Sequence, residues 1–175
     1  MHTKNQAATS CHHLSMFQSI KDFFDAALSP SASDDAGAAE HALQLATAVM
    51  LVEVMRADAR FEPSERAAVL TALRERFALS QDEASGLTEL AVSTAREATD
   101  LFAFTSRINA HFDTPQKARM VEQLWRVAYA DGHLGDHERH VVWRVADLLH
   151  VPQGAYVNAR LRVQAEINAA ARVDP

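Results

Sequence analysis

The chain has 175 residues, which is enough for one domain with a single hydrophobic core. Its net charge of -6 argues against a nucleic-acid partner, because non-specific nucleic-acid binders need a basic face. Only five glycines and five prolines interrupt a chain that is 48% hydrophobic, so the composition favours helices. The single cysteine excludes an internal disulfide and suits a cytoplasmic protein.

The N-terminal part divides into three predicted segments. Residues 1–13 are polar, lack the apolar core of a secretory signal, and are predicted to be a disordered tail. Residues 14–28 have the pattern of a short amphipathic helix, and Met16 competes with Met1 as the natural start because it opens this segment. Residues 29–37 are rich in turn formers and predict a linker. Four apolar residues share one face of the predicted helix: Phe17, Ile20, Phe24 and Leu28.

Residues 38–170 predict a single-domain, all-α bundle of about seven helices. Proline at first turns and a capping box at Ser80 mark helix starts. Short connections favour antiparallel neighbours. The first helix is apolar nearly all round, so we expect it at the centre of the core. The predicted helices cover residues 38–57, 63–77, 80–97, 100–112, 114–130, 136–149 and 152–170.

An internal repeat is the most specific feature of the chain. When the sequence is shifted by 73 residues, LVEVMRADARFEPSERAAV (51–69) aligns with LWRVAYADGHLGDHERHVV (124–142) with seven of 19 positions identical. Each copy reads as a helix that ends in Ala-Asp, a loop, and a second helix that opens on Glu. The repeat predicts two helix-loop-helix halves related by a pseudo-twofold axis. The acids kept in both copies are Asp58 and Glu65, then Asp131 and Glu138.

These four acids predict a shared site. Four carboxylates in a partly buried site cannot all stay ionised without a partner. The partner is either arginine or a hard divalent cation, calcium or magnesium, since these prefer oxygen ligands. The loops lack the alternating ligands of an EF-hand.

A structural role is the alternative for the same residues. An acid three residues into a helix favours the helix dipole and closes a capping box, which would explain Glu65 and Glu138. Asp58 and Asp131 would then bond loop amides. The expected Ser or Thr cap is replaced by Glu62 in one copy and by glycine in the other, so this explanation is incomplete.

The segments ADARFEPSER and ADGHLGDHER, on paired helices in a chain of this length, resemble the TerB-like, tellurite-resistance-associated family. The resemblance covers about residues 38–165. It implies a helical bundle associated with tellurite resistance and stress response. It also implies that metal binds at Asp58, Glu65, Asp131 and Glu138. Family members have Asp-Gly at the loop start, as in Asp131-Gly132, whereas the first copy has Ala59, which disfavours a positive φ.

Other constellations carry less weight. The spacing of His133, His137 and His140 suits zinc, but the first copy lacks them, so solvated surface histidines are favoured and zinc is the less favoured metal. No nucleophile elbow or phosphate loop occurs, and Cys11 lies outside the domain, so no enzyme is predicted. Core packing is expected for both tryptophans, Trp125 and Trp143.

Two functions from different classes follow. The first is a non-enzymatic TerB-like stress-response protein that binds a divalent cation through the four acids. The second is a metal-free interaction scaffold, whose acids cap helices or pair with Arg66 and Arg139. Either would have an unidentified protein partner, with a homodimer as one form. The apolar face of residues 14–28 favours docking on protein, and peripheral membrane contact is a weaker alternative because Lys21 is its only cation.

Overall fold

The computed structural model describes residues 36–57 and 62–172. This part of the chain contains seven helices and no strand, which confirms the predicted all-α bundle. Every helix begins and ends within two residues of its predicted bounds. The predicted tail, the N-terminal helix and the linker up to residue 35 lie outside the described residues. The helices are α1 Ala36–Met55, α2 Pro63–Phe77, α3 Gln81–Glu97, α4 Phe102–His111, α5 Thr114–Ala128, α6 Asp136–Leu148 and α7 Gln153–Ala170.

The chain divides after Ala42 into two compact units. Of the first unit, only the opening turns of α1 are described. The second unit holds the rest of α1 and the six helices that follow. The packing contacts, site residues and cavities described below belong to this second unit.

Helix α1 forms the centre of the core. Every side chain from Leu45 to Val52 is buried, as expected for a helix without a polar face. The hydroxyl of Thr47 donates to the carbonyl of Leu43 at 2.9 Å, which satisfies the buried polar group of this stretch. Gly37–Met55 is also the one described segment long and apolar enough to cross a membrane, and 67% of it is buried inside the protein.

Local capping explains where several helices begin. The Ser80 hydroxyl accepts the N–H of Glu83, and the Glu83 carboxylate accepts the N–H of Ser80 at 2.8 Å, so α3 starts with the predicted capping box. Asp113 and Gln116 exchange the same two bonds at the start of α5, at 2.7 and 2.9 Å. Helix α2 ends at Ala78, whose left-handed φ of 54° is usually reserved for glycine.

Helix α5 packs against three other helices, α2, α6 and α7. Polar bonds reinforce its contact with α7: the Arg126 guanidinium makes a two-pronged bond to the Glu166 carboxylate at 3.0 and 3.1 Å. Trp125 on the inner face of α5 is fully buried, which confirms its predicted core position. Core packing was the wrong prediction for Trp143 on α6, which is 52% exposed.

Candidate functional site

The second loop, between α5 and α6, is held at both ends by carboxylates. Oδ1 of Asp131 accepts the backbone N–H of His133 at 2.8 Å, as in an Asx turn. Oε2 of Glu138 accepts the backbone N–H of Gly135 at 2.6 Å, which is the carboxylate half of a capping box. Gly135 has no side chain to supply the other half. The two predicted ligands of this copy therefore lie on one loop, and each holds one of its amides.

The turn at the start of this loop depends on glycine. Gly132 has a φ of 83°, a conformation that glycine adopts without the steric penalty of a side chain. The N–H of Gly132 donates to the carbonyl of Tyr129 at 3.0 Å and closes the turn after α5. Ala59, its counterpart in the first copy, lies outside the described residues.

Of the two motif acids in the first copy of the acidic segment, the structure describes Glu65. Its Oε2 accepts the backbone N–H of Glu62 at 3.2 Å, the same bond that Glu138 makes at the start of α6. Asp58 lies outside the described residues, so its position stays a prediction. The gathering of four carboxylates and the pseudo-twofold axis stay predictions with it.

Burial distinguishes Glu65 and Glu138 from another capping acid of this chain. Glu65 is 1% exposed and Glu138 is 3% exposed. Glu83 makes the same bond to its N-cap residue but lies on the surface, where bonds to Ser80 lower its pKa. Capping therefore does not require burial. Burying a carboxylate is unfavourable unless bonds or a cation compensate it, so the interior position of Glu65 and Glu138 sets them apart from Glu83.

The arginines that follow the motif glutamates bind other acids. Arg66 lies 3.5 Å from a carboxylate oxygen of Glu89 on α3. Arg139 donates to Asp136 in the first turn of α6 at 2.6 Å. Both guanidinium groups thus reach acids outside the motif, and their predicted pairing with the motif acids, Asp58 included, stays a prediction.

Histidines of the second loop do not form a cluster. His133, His137 and His140 are all exposed, and the His140 ring lies 5.9 Å from the Trp143 ring. Within residues 36–57 and 62–172, no three His, Cys, Asp or Glu side chains are grouped to hold a metal ion. A closed zinc site needs such a group, whereas magnesium binds through one or two carboxylates and water. Whether the loops hold a cation, and which one, stays a prediction.

The sequence patterns do not predict the aromatic cluster that lies between α5 and α7. The Trp125 ring centroid lies 5.8 Å from that of Tyr129 and 5.5 Å from that of Tyr156. The guanidinium of Arg160 lies 5.3 Å from the Trp125 ring and donates to the Tyr129 hydroxyl. Burial raises the pKa of Tyr156, while the charges of Arg160 and Arg139 oppose that rise. The i, i+4 spacing within each helix can be read from the sequence, but the contact between the two helices cannot.

The described residues form an all-helical domain, and the sequence places an acidic Asp-x6-Glu segment at the start of α2 and another at the start of α6. The family model for tellurite resistance protein TerB matches residues 44–161, a range that contains both segments. The chain belongs to the TerB family and is thus a tellurite-resistance-associated protein. Comparisons with curated proteins and with solved structures found no match.

Proposed function

We propose that this chain is a non-enzymatic stress-response module that binds magnesium or calcium at its acidic loops. Asp131 and Glu138 would supply the ligands of the second loop, and Asp58 and Glu65 those of the first. The supporting observation is that Glu65 and Glu138 are buried, whereas the capping acid Glu83 is exposed. A divalent cation compensates buried carboxylates, because it supplies the opposite charge within direct contact distance.

The hydrogen bonds that Asp131 and Glu138 accept from backbone amides of the second loop are compatible with such a cation. A carboxylate has two oxygens and about four lone-pair positions, so accepting one N–H leaves capacity for a metal ion. Asp131 and Glu138 already fix the amides of His133 and Gly135. A cation shared by these side chains would stabilise the loop in this shape, and hence the folded state, in proportion to its concentration.

The second candidate is a metal-free interaction scaffold. It is favoured by the observation that Glu65, Asp131 and Glu138 each accept a backbone N–H of their own loop, which is what capping acids do. In that case the acids shape the loops, and a protein partner binds elsewhere on the helices. The two candidates differ in whether the negative charge matters or only the acceptor atom.

Two isosteric substitutions separate charge from hydrogen bonding. Asp131→Asn keeps an oxygen that can accept the His133 N–H. Glu138→Gln keeps an acceptor for the Gly135 N–H, as Gln116 already shows by accepting the N–H of Asp113 at 2.9 Å. Neither variant keeps the charge that a cation needs. Glu83→Gln is the matched control, because it changes an exposed capping acid outside the acidic loops.

The measurement is calorimetric titration of the full chain with magnesium and with calcium, followed by thermal unfolding with and without each metal. We expect saturable binding by the wild type and by Glu83→Gln, with affinity lowered roughly tenfold or more in the other two variants. Metal should raise the melting temperature only where it binds. Absence of binding by the wild type, or wild-type affinity in Asp131→Asn and Glu138→Gln, would reject the cation proposal in favour of capping.

A further inference from the structure

A cavity of about 250 Å³ lies between α1, α2 and α5 and is lined by none of the motif acids. Four of its nine lining residues are apolar side chains that are at most 5% exposed: Leu51, Ala72, Phe112 and Met120. The nearby hydroxyl of Thr47 is already bonded to the Leu43 carbonyl. The interior of the cavity therefore offers apolar contact and few polar groups that need a hydrogen-bond partner.

Two arginines lie at the rim of this cavity. The Arg76 guanidinium is 4.6 Å from the Phe112 ring centroid, so the ring stacks against the cation. Arg119 is exposed and makes no salt bridge with any described residue. Among the described residues, the one acid in the lining is Glu75, which forms no salt bridge with any of them. The rim thus carries one surplus positive charge on a chain whose net charge is -6.

A larger recess adjoins the cavity and shares Glu75, Arg119 and Gln123 with it. Its further charged groups are engaged elsewhere, because Arg126 binds Glu166 and Glu122 binds Arg162. Ala68 is the one apolar residue among those that line the recess, and the others end in polar or charged groups. A ligand with its apolar part in the cavity would direct its polar end toward the arginines and these groups.

We infer that this cavity binds a small amphipathic monoanion, with its apolar body inside and its carboxylate between Arg76 and Arg119. Guanidinium groups recognise carboxylates through paired N–H donors. An apolar cavity of about 150 Å³ holds benzene, so 250 Å³ accommodates roughly ten heavy atoms. That size fits a medium-chain fatty acid or a substituted benzoate. A partner helix is too large for it, with a diameter of about 10 Å.

The test is a titration of the full chain with octanoate, followed by NMR of ¹³C-labelled methionine methyl groups. Met120 reports on the cavity, and Met55, which lines a different pocket, is the internal control. We expect a saturable shift of Met120 alone. Octanol, which has the same chain without the charge, should bind at least about tenfold more weakly. No saturable Met120 shift, or equal affinity for octanoate and octanol, would overturn the inference.

Three variants test the proposed roles. Arg119→Gln on the surface should weaken octanoate about tenfold and leave octanol unchanged, whereas Glu75→Gln should tighten octanoate. Ala72→Leu should fill the cavity and abolish octanoate binding. Retained binding in a folded Ala72→Leu protein, or octanoate affinity unaffected by Arg119→Gln, contradicts the assignment. If Ala72→Leu does not fold, the surface variant Arg119→Gln decides the question.

Discussion

A Cβ atom on Gly135 would lie 3.1 Å from Oε2 of Glu138, the oxygen that accepts the Gly135 N–H at 2.6 Å. That distance is shorter than ordinary van der Waals contact. Gly135 has a φ of -74° and a ψ of 157°, which any residue can adopt. Space, rather than backbone conformation, is therefore what favours glycine at position 135.

We expect Gly135→Ala to lower the free energy of unfolding by about 1 kcal/mol. A methyl group there displaces the Glu138 carboxylate and weakens a buried charged hydrogen bond, which contributes about 1.5–3 kcal/mol. The loss outweighs the roughly 0.4–1 kcal/mol gained by restricting the unfolded chain. Urea unfolding measures the difference.

Gly154→Ala is the control for this substitution. Gly154 lies in the first turn of α7, and a Cβ there would meet no heavy atom within 4 Å. We expect it to raise stability by up to about 0.5 kcal/mol, because alanine favours helix. If Gly135→Ala is as stable as Gly154→Ala, the Glu138 carboxylate does not need its present position.

Ala78→Gly should stabilise the protein by about 0.5–1 kcal/mol. Ala78 ends α2 at a φ of 54°, where an L side chain is strained and glycine is not. Ala98→Gly is the matched comparison, since Ala98 ends α3 at a φ of -69°. There glycine adds only unfolded-state freedom and should lower stability by about 0.5 kcal/mol. Equal effects of the two substitutions in chemical denaturation would contradict the role of the left-handed cap.

Tyr156 should ionise above its ordinary pKa of about 10, because burial disfavours its charged form. The unfolded chain then releases this proton first as pH rises. The stabilising contribution is complete below about pH 10 and is lost as pH rises through the folded-state pKa. Tyr156→Phe should remove this part of the alkaline decline in stability.

The pKa of Tyr156 can be measured by NMR of ¹³C-labelled tyrosine. The chain has two tyrosines, so Tyr156→Phe assigns both signals. A titration midpoint for Tyr156 at or below about 10 would show that burial does not control its ionisation.

The two tryptophans should differ in their access to a quencher. Trp143 is 52% exposed and Trp125 is fully buried. Acrylamide should therefore quench one part of the fluorescence strongly, and Trp143→Phe should abolish that part while the remaining emission resists quenching. Strong quenching of the Trp143→Phe protein would mean that Trp125 is reached from solvent.

Local signals explain why the helices were predicted within two residues. Pro63 and Pro115 lie in first turns, and the Ser80 and Glu83 side chains close a box within four residues. These features act between neighbours in sequence, so they can be recognised without knowledge of the fold. The acidic repeat and the family resemblance are recognised by comparing residue identities, which also requires no knowledge of the fold.

Tertiary structure alone decided which of these similar local patterns are buried. Glu83 and Glu138 make the same capping bond, yet one is exposed and the other is in the protein interior. Trp125 and Trp143 both lie on helices beside the second loop, yet only Trp125 is enclosed. Burial depends on which distant helices pack against a residue, as α2, α6 and α7 pack against α5. That information lies in contacts between residues far apart in the chain, which local patterns of capping and periodicity do not specify.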